Sequence, residues 1–223
     1  MSIELFLSGF FFLFIIITNI VSGKFGYKTF GDEDPDSKLQ KINNNPTEFK
    51  ISVILILIEH LSIISLAVTL FIAFSPFSII LGIVWTLSRI VEALIQIYDK
   101  KNYWGLLNIA TKYSDTSGAE KKVLIDSGRS ILKTKEFRFV IAQLFFSIGT
   151  ISYSILFVTY AFEVVPAFIG WFGIIASILY GFGNGIFLIK PNFKAMWSLG
   201  GLLILLFEIV LGGLLLFFPH IIP

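Results

Sequence analysis

The chain contains no cysteine, and only 14% of its 223 residues are charged. Without cysteine it can form neither disulfide bonds nor thiolate metal sites, and cysteine catalysis is excluded. Soluble domains carry about 25% charged residues, and a chain with 56% hydrophobic residues is not disordered. The net charge of only +2 gives no support for binding to nucleic acid. These absences leave an integral membrane protein, with the lipid bilayer as its first partner.

Long apolar runs are the dominant feature of the sequence. A helix needs about 20 apolar residues to cross the roughly 30 Å hydrocarbon core. Six segments have this length, at residues 3–22, 51–74, 76–98, 137–162, 164–189 and 195–218. Because backbone groups in lipid must be bonded internally, these runs must be helices. The sequence therefore predicts an all-α fold, in which residues 1–223 form one polytopic domain with a bundle of six transmembrane helices.

Positive charge is concentrated in three loops of this arrangement. Sixteen of the 17 basic residues lie outside the bilayer core on one side, and Arg89 is the exception. The positive-inside rule then places these loops in the cytoplasm and both termini outside. The long third loop also carries apolar residues at helical spacing, among them Leu106, Ala110 and Tyr113. This pattern predicts one or two amphipathic interfacial helices that anchor on the lipid surface or, alternatively, contact a partner protein.

Five ionisable residues interrupt the apolar helices, where such residues are rare and usually functional or paired. They are Glu59 and His60 in the second predicted helix, Arg89 and Glu92 in the third, and Glu208 in the sixth. At a rise of 1.5 Å per residue, they lie about 9 to 20 Å below the lysine-rich face. Arg89 and Glu92 are three positions apart and can pair. One guanidinium cannot neutralise three carboxylates, so this layer favours a proton, a cation or a cationic ligand.

Several motifs for specific chemistry are missing. The sequence has no helix-borne zinc motif, no serine-nucleophile motif and no phosphate-binding loop. The acidic run Asp32, Glu33, Asp34 and Asp36 lacks the spacing and glycine of a calcium loop, so we interpret it as a solvated turn. We therefore expect no metal and no cofactor, and an enzyme is not favoured. Glycines in the apolar runs, including the pair Gly181 and Gly185, predict close packing between helices.

Three stretches carry a resemblance to a known family. They are residues 87–94, which contain Arg-x-x-Glu, residues 165–175, a proline-led and glycine-containing helix, and residues 206–213, which contain Phe-Glu. Together they resemble a bacterial and archaeal membrane family, the domain of unknown function 4386. The resemblance implies six helices in a prokaryotic cell membrane and family counterparts for Arg89, Glu92 and Glu208, without an established activity. It also implies termini on the inside, opposite to the charge count.

Three functions fit these observations. The leading hypothesis is binding or transport of a proton, a cation or a small polar or lipidic ligand. Arg89 would then anchor an anionic group or hold Glu92, while Glu59 or Glu208 carries the proton. An alternative is a structural or accessory subunit of a membrane complex, or a homo-oligomer. A lipid-modifying enzyme with His60 as base is less favoured, because the sequence contains no nucleophile motif.

Overall fold

The structure is a computed structural model that describes residues 3–29, 31, 34–190 and 195–218. Within these ranges it contains no strand and seven helices: α1 Ile3–Lys24, α2 Pro35–Asn44, α3 Pro46–Phe74, α4 Ile79–Ser114, α5 Gly118–Thr159, α6 Ala167–Ile189 and α7 Ala195–Phe217. All except α2 are long and apolar enough to cross a membrane. The all-α, multi-pass fold is therefore confirmed. Large apolar side chains stay exposed on these helices, such as Ile80 at 72%, which suggests contact with lipid.

The sequence did not predict α2, which is short and polar. The Asp34 side chain caps its first turn by accepting a hydrogen bond from the Asp36 N–H at 3.1 Å. Pro35 follows at the first helical position, where its missing N–H costs nothing. Leu39 and Ile42 are buried on one face. This packing stabilises a helix that would be too short to persist alone.

The third predicted loop is helical, but it does not form separate interfacial helices. Helix α4 continues through it to Ser114, and α5 begins at Gly118, after a turn of three residues, 115–117. Leu106, Ala110 and Tyr113 are 0%, 1% and 4% exposed and belong to an apolar core of the protein. The prediction that they anchor on lipid is therefore wrong. Their helical spacing is real, but the apolar face is covered by protein.

Two compact units describe the packing, and each is treated by itself. The first comprises residues 1–16, 61–93 and 140–223, and the second comprises residues 17–60 and 94–139. Four helices are divided between the two units, with one part in each: α1, α3, α4 and α5. The single domain therefore stays a prediction. In the first unit, Leu66, Leu70 and Phe157 are fully buried, and the Tyr153 hydroxyl donates to the Leu70 carbonyl oxygen.

In the second unit, α2 packs its apolar face against the extended ends of α4 and α5. Leu39, Tyr103 and Leu106 are fully buried there. The Tyr113 hydroxyl donates to Asp36 on α2 and accepts from the Gln40 amide at 3.2 Å. Helix α2 therefore contacts the rest of the second unit through its apolar face and, at the edge of that core, through hydrogen bonds of Asp36 and Gln40.

Glycines allow α6 and α7 to touch through their backbones. A Cβ on Gly200 would lie 2.6 Å from the Tyr180 Cα, and one on Gly183 would lie 2.8 Å from the backbone of Trp197. The predicted pair, Gly181 and Gly185, does not make such backbone contacts. A Cβ on Gly181 would lie 3.1 Å from the Ser147 side chain, whereas one on Gly185 would meet no described atom within 4 Å. Close packing by glycine is confirmed for the pair of helices, but the prediction for Gly185 is wrong.

Candidate functional site

The buried ion pair of the first unit lies on one face of α4. Arg89 Nη1 is 2.7 Å from Glu92 Oε2, and both residues are only 2% exposed. The pair forms because a spacing of three residues places both side chains on the same face of the helix. The pair lies in an apolar run, so separating the two side chains would cost free energy, because each charge would lose its counter-charge in a medium of low dielectric constant.

Aromatic rings enclose the Arg89 guanidinium. Its Cζ lies 5.3 Å from the ring centre of Trp85, one turn earlier on α4, and 4.5 Å from that of Phe146 on α5. Both distances are within the range of cation–π attraction. The guanidinium is thus held between an anion and two ring faces, which fixes its position.

Glu208 on α7 supplies a second carboxylate to this unit. It is half-buried and close enough to Arg89 and Glu92 to interact with both electrostatically. Its side chain lines a small void together with Phe12, Leu70, Trp85, Thr150, Tyr153, Phe207 and Leu211. The void offers about 10 Å³ to the centre of a water molecule, roughly enough for one.

Polar atoms with no hydrogen-bond partner lie in the walls of this void. Within the described chain, Trp85 Nε1 and Thr150 Oγ1 are both buried and make no hydrogen bond. Each residue is 2% exposed. A buried donor without a partner costs free energy, so such atoms next to a carboxylate indicate a site built for a small polar occupant rather than for packing alone.

Glu59 and His60 belong to the second unit. The Asn19 side-chain amide lies 3.2 Å from Glu59 Oε1 and 3.0 Å from Oε2, so it donates to the carboxylate. Glu59 also lies within electrostatic reach of Lys100. Both neighbours stabilise an ionised carboxylate. His60 is 2% exposed and adjoins Glu59 on α3.

Replacing Asn19 with alanine tests this support of Glu59. We expect Asn19→Ala to lower the free energy of unfolding by about 1–2 kcal/mol, because the buried Glu59 carboxylate loses a donor. Asn108→Ala on the exposed face of α4 is the matched control and should change stability by a few tenths of a kcal/mol. The measurement is denaturant unfolding in detergent. Equal effects of the two substitutions would contradict the role of Asn19.

A family model described as Domain of unknown function (DUF4386) matches residues 7–218. The chain belongs to DUF4386. The match includes the ion pair, Glu208 and the helices that position them. No curated protein and no solved structure matches the chain. Membership in DUF4386 therefore confirms the predicted family and carries no activity with it, so the chemistry must be argued from the site.

The structure brings three of the five predicted site residues of this DUF4386 chain into one unit. Arg89, Glu92 and Glu208 are near one another there, while Glu59 and His60 lie in the second unit. Sequence reasoning missed Trp85, Phe146 and Thr150 of the site. Trp85 could have been found, because it lies four positions before Arg89 on the same helix face. Phe146 could not, because it comes from another helix and only tertiary packing brings it to Arg89.

The acidic run of the DUF4386 chain serves structural purposes where it is described. Asp34 caps α2 and Asp36 accepts from Tyr113, whereas Asp32 and Glu33 lie outside the described residues. Among the residues that the structure describes, no three His, Cys, Asp or Glu side chains are grouped to hold a metal ion.

Proposed function

We propose that this protein binds and exchanges a proton in the bilayer, with Glu208 as the group that carries it. The observation that carries the proposal is the charge balance of the first unit's buried site. One guanidinium faces two carboxylates there, and it is committed to Glu92 at 2.7 Å. A second carboxylate in hydrocarbon then needs a proton or a cation to neutralise it.

The size of the void favours a proton over a larger ligand. Sites for small organic molecules have volumes of about 300–1,000 Å³, whereas the void beside Glu208 has about 10 Å³. A polar or lipidic ligand therefore finds no room in this void. One water molecule would fit, and the Thr150 hydroxyl and Trp85 indole N–H could bond it.

The chemistry of the wall favours a proton over a metal cation as well. Hard cations take about six or more oxygen ligands, but the void is lined mainly by apolar side chains, with few oxygen atoms. The Arg89 guanidinium would also repel a cation. A proton needs only the Glu208 carboxylate itself, and a bridging water could pass it onward.

Glu59 receives a different role in this proposal. The Asn19 amide and the nearby Lys100 both favour its ionised form. It is therefore a poor proton carrier, although the sequence alone made it as good a candidate as Glu208. Glu59 and His60 stay proposed members of the polar layer, with a supporting role. The family resemblance supports the cell membrane of a bacterium or archaeon as the proposed location.

Infrared difference spectroscopy on the purified protein tests the proposal directly. A protonated carboxyl group has a C=O stretch that an ionised one lacks, so a pH step should reveal a buried acid. We expect Glu208→Gln to abolish this band and the proton uptake of proteoliposomes under a pH gradient. Glu163→Gln, the same change at an exposed glutamate, is the matched control and should leave both unchanged.

The test also distinguishes the accessory-subunit alternative. If Glu208→Gln retained the full carboxyl band and proton uptake, the proton-carrier role would be wrong. If the parent protein took up no proton at all and Glu208→Gln affected only assembly, a structural layer in a membrane complex would be the better account.

A further inference from the structure

A second polar feature lies in the second unit, away from the apolar runs. Lys38 on α2, Lys100 on α4 and Lys135 on α5 are 4%, 3% and 1% exposed. Their ammonium groups lie 5.0–5.8 Å from the ring centres of Tyr27 and Tyr103, which pack edge to face. Lysine is almost never this buried, so three such residues in one core form an electropositive region.

The charge of the whole unit agrees with this local picture. Residues 17–60 and 94–139 contain 14 basic and 11 acidic residues, a formal difference of +3. The buried acid Asp99 is shared, at 3.5 Å from Lys100 Nζ and 3.2 Å from Arg138 Nη1. The unit therefore presents net positive charge at the helix ends, where it favours an anion.

A pocket of about 290 Å³ opens beside this region. It lies between the end of α1, helix α2 and the first turn of α3. Lys38 and Lys41 line it with the amide of Asn45, while Phe25 and Phe49 form an apolar side. Among the described residues that line it, Glu48 is the one acidic member. The two lysines outweigh this carboxylate, so the described part of the wall is net positive.

Local hydrogen bonds orient the polar groups of the pocket. The Asn45 side-chain oxygen accepts from the Glu48 N–H at 3.3 Å, which commits that oxygen to the start of α3 and leaves the amide NH₂ to donate elsewhere. Lys38 Nζ donates to the Gly26 carbonyl oxygen at 2.8 Å, which holds its ammonium group at the pocket. Helix α2 ends where α3 begins, so the partial negative charge of one helix end offsets the partial positive charge of the other. The lysines therefore decide the sign of the electrostatic potential in the pocket.

We infer that this pocket binds the phosphate group of an anionic phosphate ester. Lys38 and Lys41 provide the charge, Asn45 provides a neutral donor, and Phe25 and Phe49 contact the apolar part of the ester. The pocket lies at the ends of membrane-spanning helices, and its volume suits a headgroup-sized molecule. The ester is either the headgroup of an anionic phospholipid or a soluble phosphate ester, which share this chemistry.

Two binding measurements on the full chain in detergent distinguish the sources. In the first, native mass spectrometry follows lipid retained from an equal mixture of phosphatidylglycerol and phosphatidylcholine. In the second, calorimetry follows titration with glycerol phosphate and with inorganic phosphate. If phosphatidylglycerol is retained preferentially and the calorimeter shows no binding, the ligand is a lipid headgroup. If the calorimeter shows binding, the ligand is a soluble ester. If neither measurement shows binding, the inference is wrong.

The variant Lys41→Gln assigns binding to the pocket. Lys41 is exposed, so its loss spares the core, and we expect binding to weaken about tenfold, as for one charge-assisted hydrogen bond. Lys122→Gln removes the same charge from an exposed position on α5 and should leave binding unchanged. If both variants lose binding equally, general attraction of anions accounts for the result and the pocket assignment is wrong.

Discussion

Replacing Arg89 with methionine is expected to lower the free energy of unfolding by about 3–5 kcal/mol, the usual cost of breaking a buried ion pair. Methionine retains much of the length and the helix propensity of arginine. The loss therefore comes from charge: Glu92 would stay buried at 2% exposure without the guanidinium now 2.7 Å away. Unfolding by denaturant in detergent measures the effect.

The chain offers a closely matched control for this substitution. Arg129 Nη1 lies 2.7 Å from Asp126 Oδ1, also at a spacing of three residues, but these side chains are 47% and 54% exposed. Exposed pairs contribute about 0–1 kcal/mol, so Arg129→Met should have little effect. Equal costs of the two substitutions would contradict the claim that burial, rather than pairing geometry, makes Arg89 important.

A double variant separates the ion pair from the other contacts of Arg89. In the double variant Arg89→Met with Glu92→Gln, the loss of the guanidinium leaves no ionised Glu92 without its partner. We expect the double variant to recover most of the stability that Arg89→Met loses, so that the two changes couple strongly. The cost that is not recovered would include the cation–π contacts of Arg89 with Trp85 and Phe146.

Replacing Gly200 with leucine is expected to be the second large effect, at about 3 kcal/mol or more. A Cβ at this position would lie 2.6 Å from the Tyr180 Cα and 2.7 Å from its backbone nitrogen. Backbone atoms of a helix cannot move aside as a flexible side chain can. The α6 and α7 helices would therefore have to separate, and their contacts would be lost.

The matched control is Gly213→Leu on the same helix, where a Cβ would meet no described atom within 4 Å. This substitution should be neutral or stabilising, because glycine is less favourable than alanine inside a helix by roughly 0.8–1.0 kcal/mol and leucine ranks close to alanine. Thermal unfolding in detergent compares the two variants. A Gly200→Leu protein that melts at the parent temperature would show that α6 and α7 do not pack through their backbones.

Helix α2 marks a limit of sequence reasoning about this fold. The six apolar runs could be identified because length and hydropathy alone decide whether a segment can cross a bilayer. The α2 segment has no such signal, since its ten residues are mostly polar. Its stability comes from Leu39 and Ile42, which join a core that also includes the distant residues Tyr103, Leu106 and Leu132, and no local pattern encodes this packing.

The candidate site divides in the same way. The spacing of Arg89 and Glu92 was enough to predict their pairing, because helix geometry brings positions three apart together. The ring of Phe146, the hydroxyl of Thr150 and the void beside Glu208 come from helices far apart in sequence. Their meeting depends on which faces of α4, α5 and α7 pack together.

By itself, the sequence determined that this chain forms membrane helices, belongs to its family and carries charged side chains in apolar runs. Those properties follow from composition and helical spacing, which are local. Only the tertiary structure decided that Leu106, Ala110 and Tyr113 are covered by protein, that Gly200 rather than Gly185 meets backbone, and which groups line the void. Each of these depends on contacts between distant segments, where side-chain volume and backbone approach select one packing among many.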